Sequence, residues 1–469
     1  ITFDITEDVK EQNELRVSLG NGWFKGKFGL NNQSNNFGDE FKLIAELRLV
    51  YEDGEVQVIG TDETWEYIGS DVEDDGIYDG EIINHLLWKE KENLPKKAVL
   101  TEAEGKLVAR YSLPVMEMED MPVKEVIYTP LGETVLDFGQ NFAGYVTFRN
   151  HLLEGTRIVF DHGEILQDGN FYNENYRSAK SQFVYVSDGR DELVRPSFTY
   201  FGFRYVRVTG WPGEAKEEDF TGKALYSKMD RTGYIETGHQ GVNRLFLNAL
   251  WGQKSNFIDF PTDCPQRDER LGWTGDAQVF SGTASFNMDT TAFYHKFLHD
   301  LRNEQVKYDG ILPGVIPVLD PNGPIFSSVW GDIATILPMV VYEHSGNVET
   351  LRENYPMMKD WVDKITKEDK ARGQKYLYDF GNQLGDWLAL DGRTEQSMEG
   401  GTDAYYIGSN YYAMSVQKTA TAAEILGYKE DEAYYKDLYE KIKDAIIREY
   451  FTETGRLAID SQTGYIVAL

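Results

Sequence analysis

Near residue 235 the apolar period of the chain changes from about two residues to about 3.6, and this change limits the possible folds more than any single motif. Upstream, Leu43, Ala45, Leu47, Leu49 and Tyr51 recur at every second position. Asp53-Gly54 then turns the chain and Val56 and Val58 resume the alternation, which predicts a hairpin. Downstream, Val242, Leu245, Phe246, Ala249 and Leu250 fall on one face of a helix. A run of strands followed by a run of helices does not build an alternating α/β sheet. It predicts β-domains and a separate all-helical domain.

The chain has 469 residues, too many for one ordinary core, so two or three domains are expected. We place a jelly-roll β-sandwich at 1–95, beginning with a strand at Ile1–Ile5, and a second β-sandwich at 96–230. In the first, Tyr78-Asp79-Gly80-Glu81 reads either as a plain turn or as a loop with a sugar-facing carboxylate. In the second, the aromatic stretch from Pro196 to Phe203 is expected to fill core rather than hold ligand.

The remainder, 231–469, predicts successive helices. Ala277, Phe280 and Ala284 mark one, and Phe293, Phe297, Leu298 and Leu301 another, capped by Asp289. Further helices are expected around Leu337, around Trp361 with a break at Pro356, around Val416, and around Ile442. Tyr465–Leu469 reads as the start of one more. Roughly seven antiparallel helices and a beginning predict an (α/α)6 toroid supplied only in part, since a six-hairpin ring needs about twelve. The expectation is a fragment of a longer polypeptide, cut at both ends.

Charge and composition exclude several functions. A net charge of −31 repels nucleic acid and anionic membranes, and no apolar run approaches a membrane span. Cys264 is the single cysteine, so no intrachain disulfide can form, and a structural role is expected for it. The lone cysteine gives no sign of an oxidising compartment and leaves export open. The absence of a leader says little because the chain starts at Ile1, and a cytoplasmic location is slightly favoured.

Chemistry is expected at Asp263-Cys264-Pro265-Gln266-Arg267-Asp268-Glu269-Arg270-Leu271-Gly272-Trp273-Thr274-Gly275-Asp276. Pro265, Gly272 and Gly275 predict mostly loop, set between apolar helices. The alternative is a solvated charged turn. Metal binding is disfavoured, because Arg267 and Arg270 lie among the acids and no histidine is near; no metal and no cofactor are expected. The composition fits glycoside hydrolysis: one carboxyl protonates the leaving oxygen, a second acts as base or nucleophile, and a tryptophan can stack on a sugar. Composition alone does not identify the proton donor.

The sequence resembles the bacterial α-L-rhamnosidases of glycoside hydrolase family 78 over essentially its whole length. The most specific match is DCPQRDERLGWTGDAQ from Asp263 to Gln278. Supporting matches are GNGWFKGKFG (Gly20–Gly29), YDGE (Tyr78–Glu81), DFGQNFAGYV (Asp137–Val146), FGFRYVRVTGWPG (Phe201–Gly213) and GDWL (Gly385–Leu388). The resemblance implies an (α/α)6 catalytic domain and inverting hydrolysis, with Glu269 as general acid. It further implies that Asp263, Arg267, Trp273 and Asp276 bind the rhamnose ring, with Trp330 and Trp387 lining the pocket. Asp268 is then structural by elimination. The family's general base and a downstream histidine have no match here and are expected in chain beyond Leu469.

The implied partners are a rhamnose-containing glycoside and the remaining C-terminal part of the same polypeptide, with a homo-oligomer left open. An acid must be protonated near neutral pH, so Arg267 and Arg270 are expected to point away from Glu269. The competing readings are another six-hairpin inverting glycosidase, a non-catalytic carbohydrate-binding protein, and a structural module that binds no sugar.

Overall fold

The computed structural model describes residues 1–29, 32–87, 94–102, 105–320, 323–391 and 398–469. They form two compact units. The first comprises Ile1–Arg110, Met116–Tyr226 and Pro265–Glu269; the second comprises Tyr111–Val115, Ser227–Cys264 and Arg270–Leu469.

The first unit is β. The hairpin read around Asp53-Gly54 is present, with β1 (Glu46–Val50) and β2 (Val56–Gly60) antiparallel and Val50 opposite Val56. The strand expected at Ile1–Ile5 is not: Thr6–Asp8 forms a single helical turn and Ile1 and Phe3 are exposed. No described strand lies alongside these residues, so their backbone groups gain nothing from extension.

A ten-stranded sheet dominates this unit. Its main path uses β3 (Val72–Gly76), β4 (Gly80–Asn84), β5 (Val115–Pro122), β7 (Thr134–Asn150), β8 (Arg157–Gly163), β9 (Gln182–Val186), β11 (Phe201–Thr209) and β12 (Phe220–Ser227). The strand order is β3-β4-β9-β8-β11-β7-β12-β5, and β6 (Glu125–Tyr128) and β10 (Glu192–Val194) also pair with β7. The β4–β9 pair is parallel. There Gly80, at φ +108°, lies so close to the Gln182 carbonyl that a Cβ would stand 1.8 Å from its oxygen. This explains the glycine of the YDGE motif. Phe201 and Phe203 are fully buried, as expected of core aromatics, and Phe201 stacks on His162 at 3.7 Å. The bidentate pair of Arg204 with Asp137, at 2.8 Å for both contacts, ties two of the quoted motifs together across β7 and β11.

Glu81 does not face sugar. It is 1% exposed, and its carboxylate accepts the backbone N–H groups of Ser197 and Phe198, the latter at 2.7 Å. Burial outweighs these bonds and pushes its pKa up to about 7, from an ordinary value of 4.5. The folded state therefore holds a proton that the unfolded chain has already released between those two values. Stability is full below about pH 4.5 and falls as pH rises to about 7, by up to about 3 kcal/mol from this group. Chemical unfolding across that range should show the decline in the native chain and a flatter profile in Glu81→Gln. Equal slopes in both would reject the assignment.

The second unit is helical: α1 (Gln240–Asn256), α2 (Thr274–Asn287), α3 (Thr291–Lys307), α4 (Ile333–Ser345), α5 (Val348–Ala371), α6 (Ala404–Leu426), α7 (Lys429–Tyr450) and the short α8 (Gln462–Ala468). Local chemistry sets the ends. Asn347, Asp403 and Ser461 cap N-termini through Glu349, Tyr406 and Gly464 N–H groups. Gly346 and Gly427 end α4 and α6 with φ of +67° and +78°. Asp289 caps as expected only in part: it accepts the Thr291 N–H from just outside α3.

The break expected at Pro356 does not occur. Pro356 lies on the exposed side of α5, where water can take the carbonyl of Arg352 that the missing N–H leaves unbonded. The opposite stripe of Leu351, Met358, Trp361, Val362 and Ile365 is buried and holds the helix straight through. Met339, Leu351, Tyr355, Met358, Ala422 and Ala423 form a core among α4, α5 and α6.

Candidate active site

The stretch from Asp263 to Asp276 is shared between the two units, and each part is held by its own surroundings. Pro265–Glu269 belongs to the first unit, and several of the motifs quoted above converge on it there. The Tyr78 hydroxyl accepts the Gly29 N–H and donates to the backbone carbonyl of Glu269 at 2.5 Å. Gly202 packs against Pro265 and Gln266, where a Cβ would come within 2.9 Å. Gln266 Nε2 donates to Glu164 at 3.0 Å, and Asn141 of β7 donates to the same carboxylate at 2.8 Å. Burial still pushes Glu164 above its ordinary range.

Asp268 is buried and pairs with Arg177, whose Nε reaches Oδ1 at 2.5 Å. Its Oδ2 accepts the Ser178 hydroxyl and N–H and, at 3.4 Å, Asn32 Nδ2. Burial pushes this carboxyl up, but the bonds from Ser178, Arg177 and Asn32 together hold it below the usual range. Asp268 is thus a structural carboxylate. Its partner is neither arginine of the loop but Arg177.

Glu269 is 7% exposed. Arg267 Nε lies 2.9 Å from its Oε2, and an Arg177 terminal nitrogen lies 3.0 Å from the same oxygen. The expectation that both loop guanidinium groups turn away from Glu269 therefore fails for Arg267. The physical reason is proximity in a buried turn: with the Arg267 carbonyl accepting the Glu269 N–H at 2.9 Å, the two side chains share a side. Both contacts fall on the same oxygen, Oε2.

In the second unit Arg270 is fully buried, with φ of +51°. Asp263 Oδ1 accepts the Leu271 N–H at 2.9 Å, and the Asp263 N–H returns to the Leu271 carbonyl. This closes the base of the loop. Trp273 is half-buried and sits in a short ladder opposite Val315. The expected loop gives way to helix at Thr274, which puts Asp276 in the first turn of α2, exposed. Trp330 and Trp387 meet edge to face, with centroids 6.5 Å apart. Trp330 is 7% exposed and packs on Gly275, where a Cβ would stand 2.7 Å from the indole. Its buried Nε1 finds no hydrogen-bond partner among the described residues. Trp387 is 42% exposed.

Trp330 is aimed by a strained turn. Val329 has φ of +70°, unfavourable for a β-branched residue. Its N–H is held by Asp332 Oδ2 at 2.7 Å, and Asp332 Oδ1 takes Trp361 Nε1 and the Ser415 hydroxyl. Burial pushes Asp332 up against these three bonds. Arg177, Ser178, Glu164 and Asp332 are the residues that sequence reasoning missed. Only a lone arginine in a polar stretch and an aspartate before an apolar helix stood as signals for two of them.

A consecutive run of packed helices with paired tryptophans, and a loop carrying a buried glutamate, are the parts of a glycosidase of the helical-hairpin class. Residues 230–469 match the family model of the bacterial α-L-rhamnosidase six-hairpin glycosidase domain. Residues 127–226 match that of the bacterial α-L-rhamnosidase concanavalin-like domain, and 1–119 that of the α-L-rhamnosidase N-terminal domain. The chain belongs to the bacterial α-L-rhamnosidase family.

An α-L-rhamnosidase of Formosa agariphila is 32% identical across all of this chain, which spans 51% of that protein. One from Streptomyces avermitilis is 31% identical, with 45% of it covered. The crystal structure of the native Aspergillus terreus α-L-rhamnosidase superimposes with a TM-score of 0.90 at 33% identity, covering 95% of this chain and 53% of that one. The Streptomyces avermitilis enzyme complexed with L-rhamnose gives a TM-score of 0.86 at 31% identity, covering 96% and 43%. The chain thus spans about half the length of the relatives it matches.

Proposed function

We propose that this chain carries the β-rich region and catalytic domain of an inverting α-L-rhamnosidase that removes terminal non-reducing α-L-rhamnose from glycosides or oligosaccharides. Glu269 gives its proton to the glycosidic oxygen, the bond to the anomeric carbon breaks, and water enters from the opposite face, giving up a proton to a second carboxylate that acts as general base. Asp263, Arg267, Trp273, Asp276, Trp330 and Trp387 hold the sugar. The observation that carries this reading is the Trp330–Trp387 pair, edge to face at 6.5 Å, in which the 42% exposed Trp387 offers an apolar surface on which a sugar ring can stack. The choice of rhamnose rests on the relatives.

The test is a panel of aryl glycosides. The α-L-rhamnoside should be cleaved at least roughly 100-fold faster than other pyranosides, a ratio in the range that polar recognition of hydroxyls supplies. Proton NMR should show β-rhamnose as the first product. Preference for another sugar would indicate a different six-hairpin glycosidase. Tight rhamnose binding with no turnover would indicate a carbohydrate-binding protein.

A further inference from the structure

We propose that Arg177, contributed by the β-rich unit, is a positioning residue for Glu269; this rests on the reading of Glu269 as general acid. Arg177 is remote in sequence from the loop it serves. It follows the helical turn Glu174–Tyr176, which is locked in place: Tyr176 is fully buried and its hydroxyl donates to the Gly202 carbonyl at 2.5 Å. At Arg177 the backbone takes φ of +60° and ψ of −114°, a combination sparsely populated outside glycine.

That strain has a visible result. It sets the Arg177 side chain and the Ser178 N–H and hydroxyl on the same carboxylate, Asp268. From there the guanidinium spans two neighbouring residues. Nε binds Asp268 Oδ1, and one terminal nitrogen binds both the Asp268 backbone carbonyl at 3.2 Å and Glu269 Oε2 at 3.0 Å. A relaxed backbone at Arg177 would not deliver all of these contacts from one turn. A strained residue that grips both the backbone and the side chain of a buried pair is over-determined by its surroundings, as such strain must be to persist.

The chemical consequence lies in which oxygen is held. Within the first unit the charged and titratable groups around Glu269 are Arg177, Arg267, Asp268 and Tyr78. Arg177 and Arg267 both take Oε2, so two guanidinium groups fix the rotation of the carboxyl from one side. Asp268 answers part of the Arg177 charge. Removing Arg177 takes a guanidinium from both Glu269 and Asp268. The Glu269 carboxyl then loses a contact that fixes its rotation while remaining chemically intact. Proton delivery should suffer most where the leaving group needs it most.

The experiment compares Arg177→Met and Arg177→Lys with the native protein, on an alkyl α-L-rhamnoside and on a dinitrophenyl α-L-rhamnoside. For Arg177→Met the loss in kcat/KM on the alkyl substrate should exceed that on the dinitrophenyl substrate by roughly ten-fold or more, within the usual contribution of a positioned acid. Guanidinium chloride at low concentration should restore part of the difference, and sodium chloride at the same ionic strength should not. Lysine should recover little, since one ammonium cannot span both carboxylates in place of the planar fork. Equal losses on the two substrates, or rescue by any salt, would mean that Arg177 only supports the fold and would overturn the proposal. A native protein that cleaves no rhamnoside would overturn the general-acid reading and this proposal with it.

Discussion

Glu269→Gln should lower kcat/KM on an alkyl or flavonoid-type α-L-rhamnoside by roughly 1000-fold, while a dinitrophenyl rhamnoside loses about ten-fold or less. The contrast follows from the geometry of one side chain. Glutamine has the same length and keeps an amide oxygen that can accept from Arg267 and Arg177, which sit 2.9 and 3.0 Å from Oε2 in the native protein. The Tyr78 hydroxyl still meets the backbone carbonyl at 269. The loop should therefore stay in place, and a thermal unfolding curve of the variant should overlay the native one within a few degrees.

What glutamine cannot do is release a proton to the glycosidic oxygen. A poor leaving group departs as an alkoxide without that proton, at a cost that accounts for the large loss. A dinitrophenolate leaves unaided, so its rate reports the rest of the site. Measuring kcat/KM across a series of leaving groups decides the matter. A uniform loss would assign Glu269 to sugar binding or to the nucleophilic side of the reaction, and would send the search for the proton donor elsewhere.

The parts of this site that were legible in the sequence are those written in residue type. A glutamate between two arginines, a tryptophan and flanking aspartates within one short stretch announce polar chemistry, and the switch of period near residue 235 announces the change from sheet to helix. Caps such as Asp403 and glycines such as Gly346 and Gly427 set helix ends in the second unit, and such signals are readable locally because they act over three or four residues.

Long-range pairing is another matter. Nothing local marks Arg177 as the partner of Asp268 and Glu269, since the contact depends on a strained turn 91 positions away. Glu81 shows the same limit from the other side. Its motif left a plain turn and a sugar-facing carboxylate both open, and its partners are backbone amides of Ser197 and Phe198, which no side-chain pattern records. Pro356 failed as a helix breaker because the outcome turns on which side of α5 it occupies, and that depends on tertiary packing.

Asp332→Ala should destabilise the helical unit more than any surface change, by about 4 kcal/mol or more, since it strands two buried donors and one part-buried donor at once. Asp332 is fully buried at the start of α4. It receives the Trp361 indole N–H at 2.9 Å, the Ser415 hydroxyl at 2.5 Å and the Val329 N–H at 2.7 Å, joining α5, α6 and the turn before α4. Alanine removes the acceptor for all three and leaves a void beside Trp361, itself 1% exposed. It also releases Val329 from its positive φ, so the turn that carries Trp330 can relax.

Asparagine keeps the volume and one accepting oxygen but turns an amide N–H toward groups that are themselves donors. It should lose less than alanine, about 2 kcal/mol. Adding Val329→Gly, which removes the Cβ that makes φ of +70° costly, should recover part of the asparagine loss. Urea unfolding followed by circular dichroism measures all three variants. A loss below about 1 kcal/mol for Asp332→Ala would show that water takes over the three donors, and that Trp330 owes its placement to its packing on Gly275 instead.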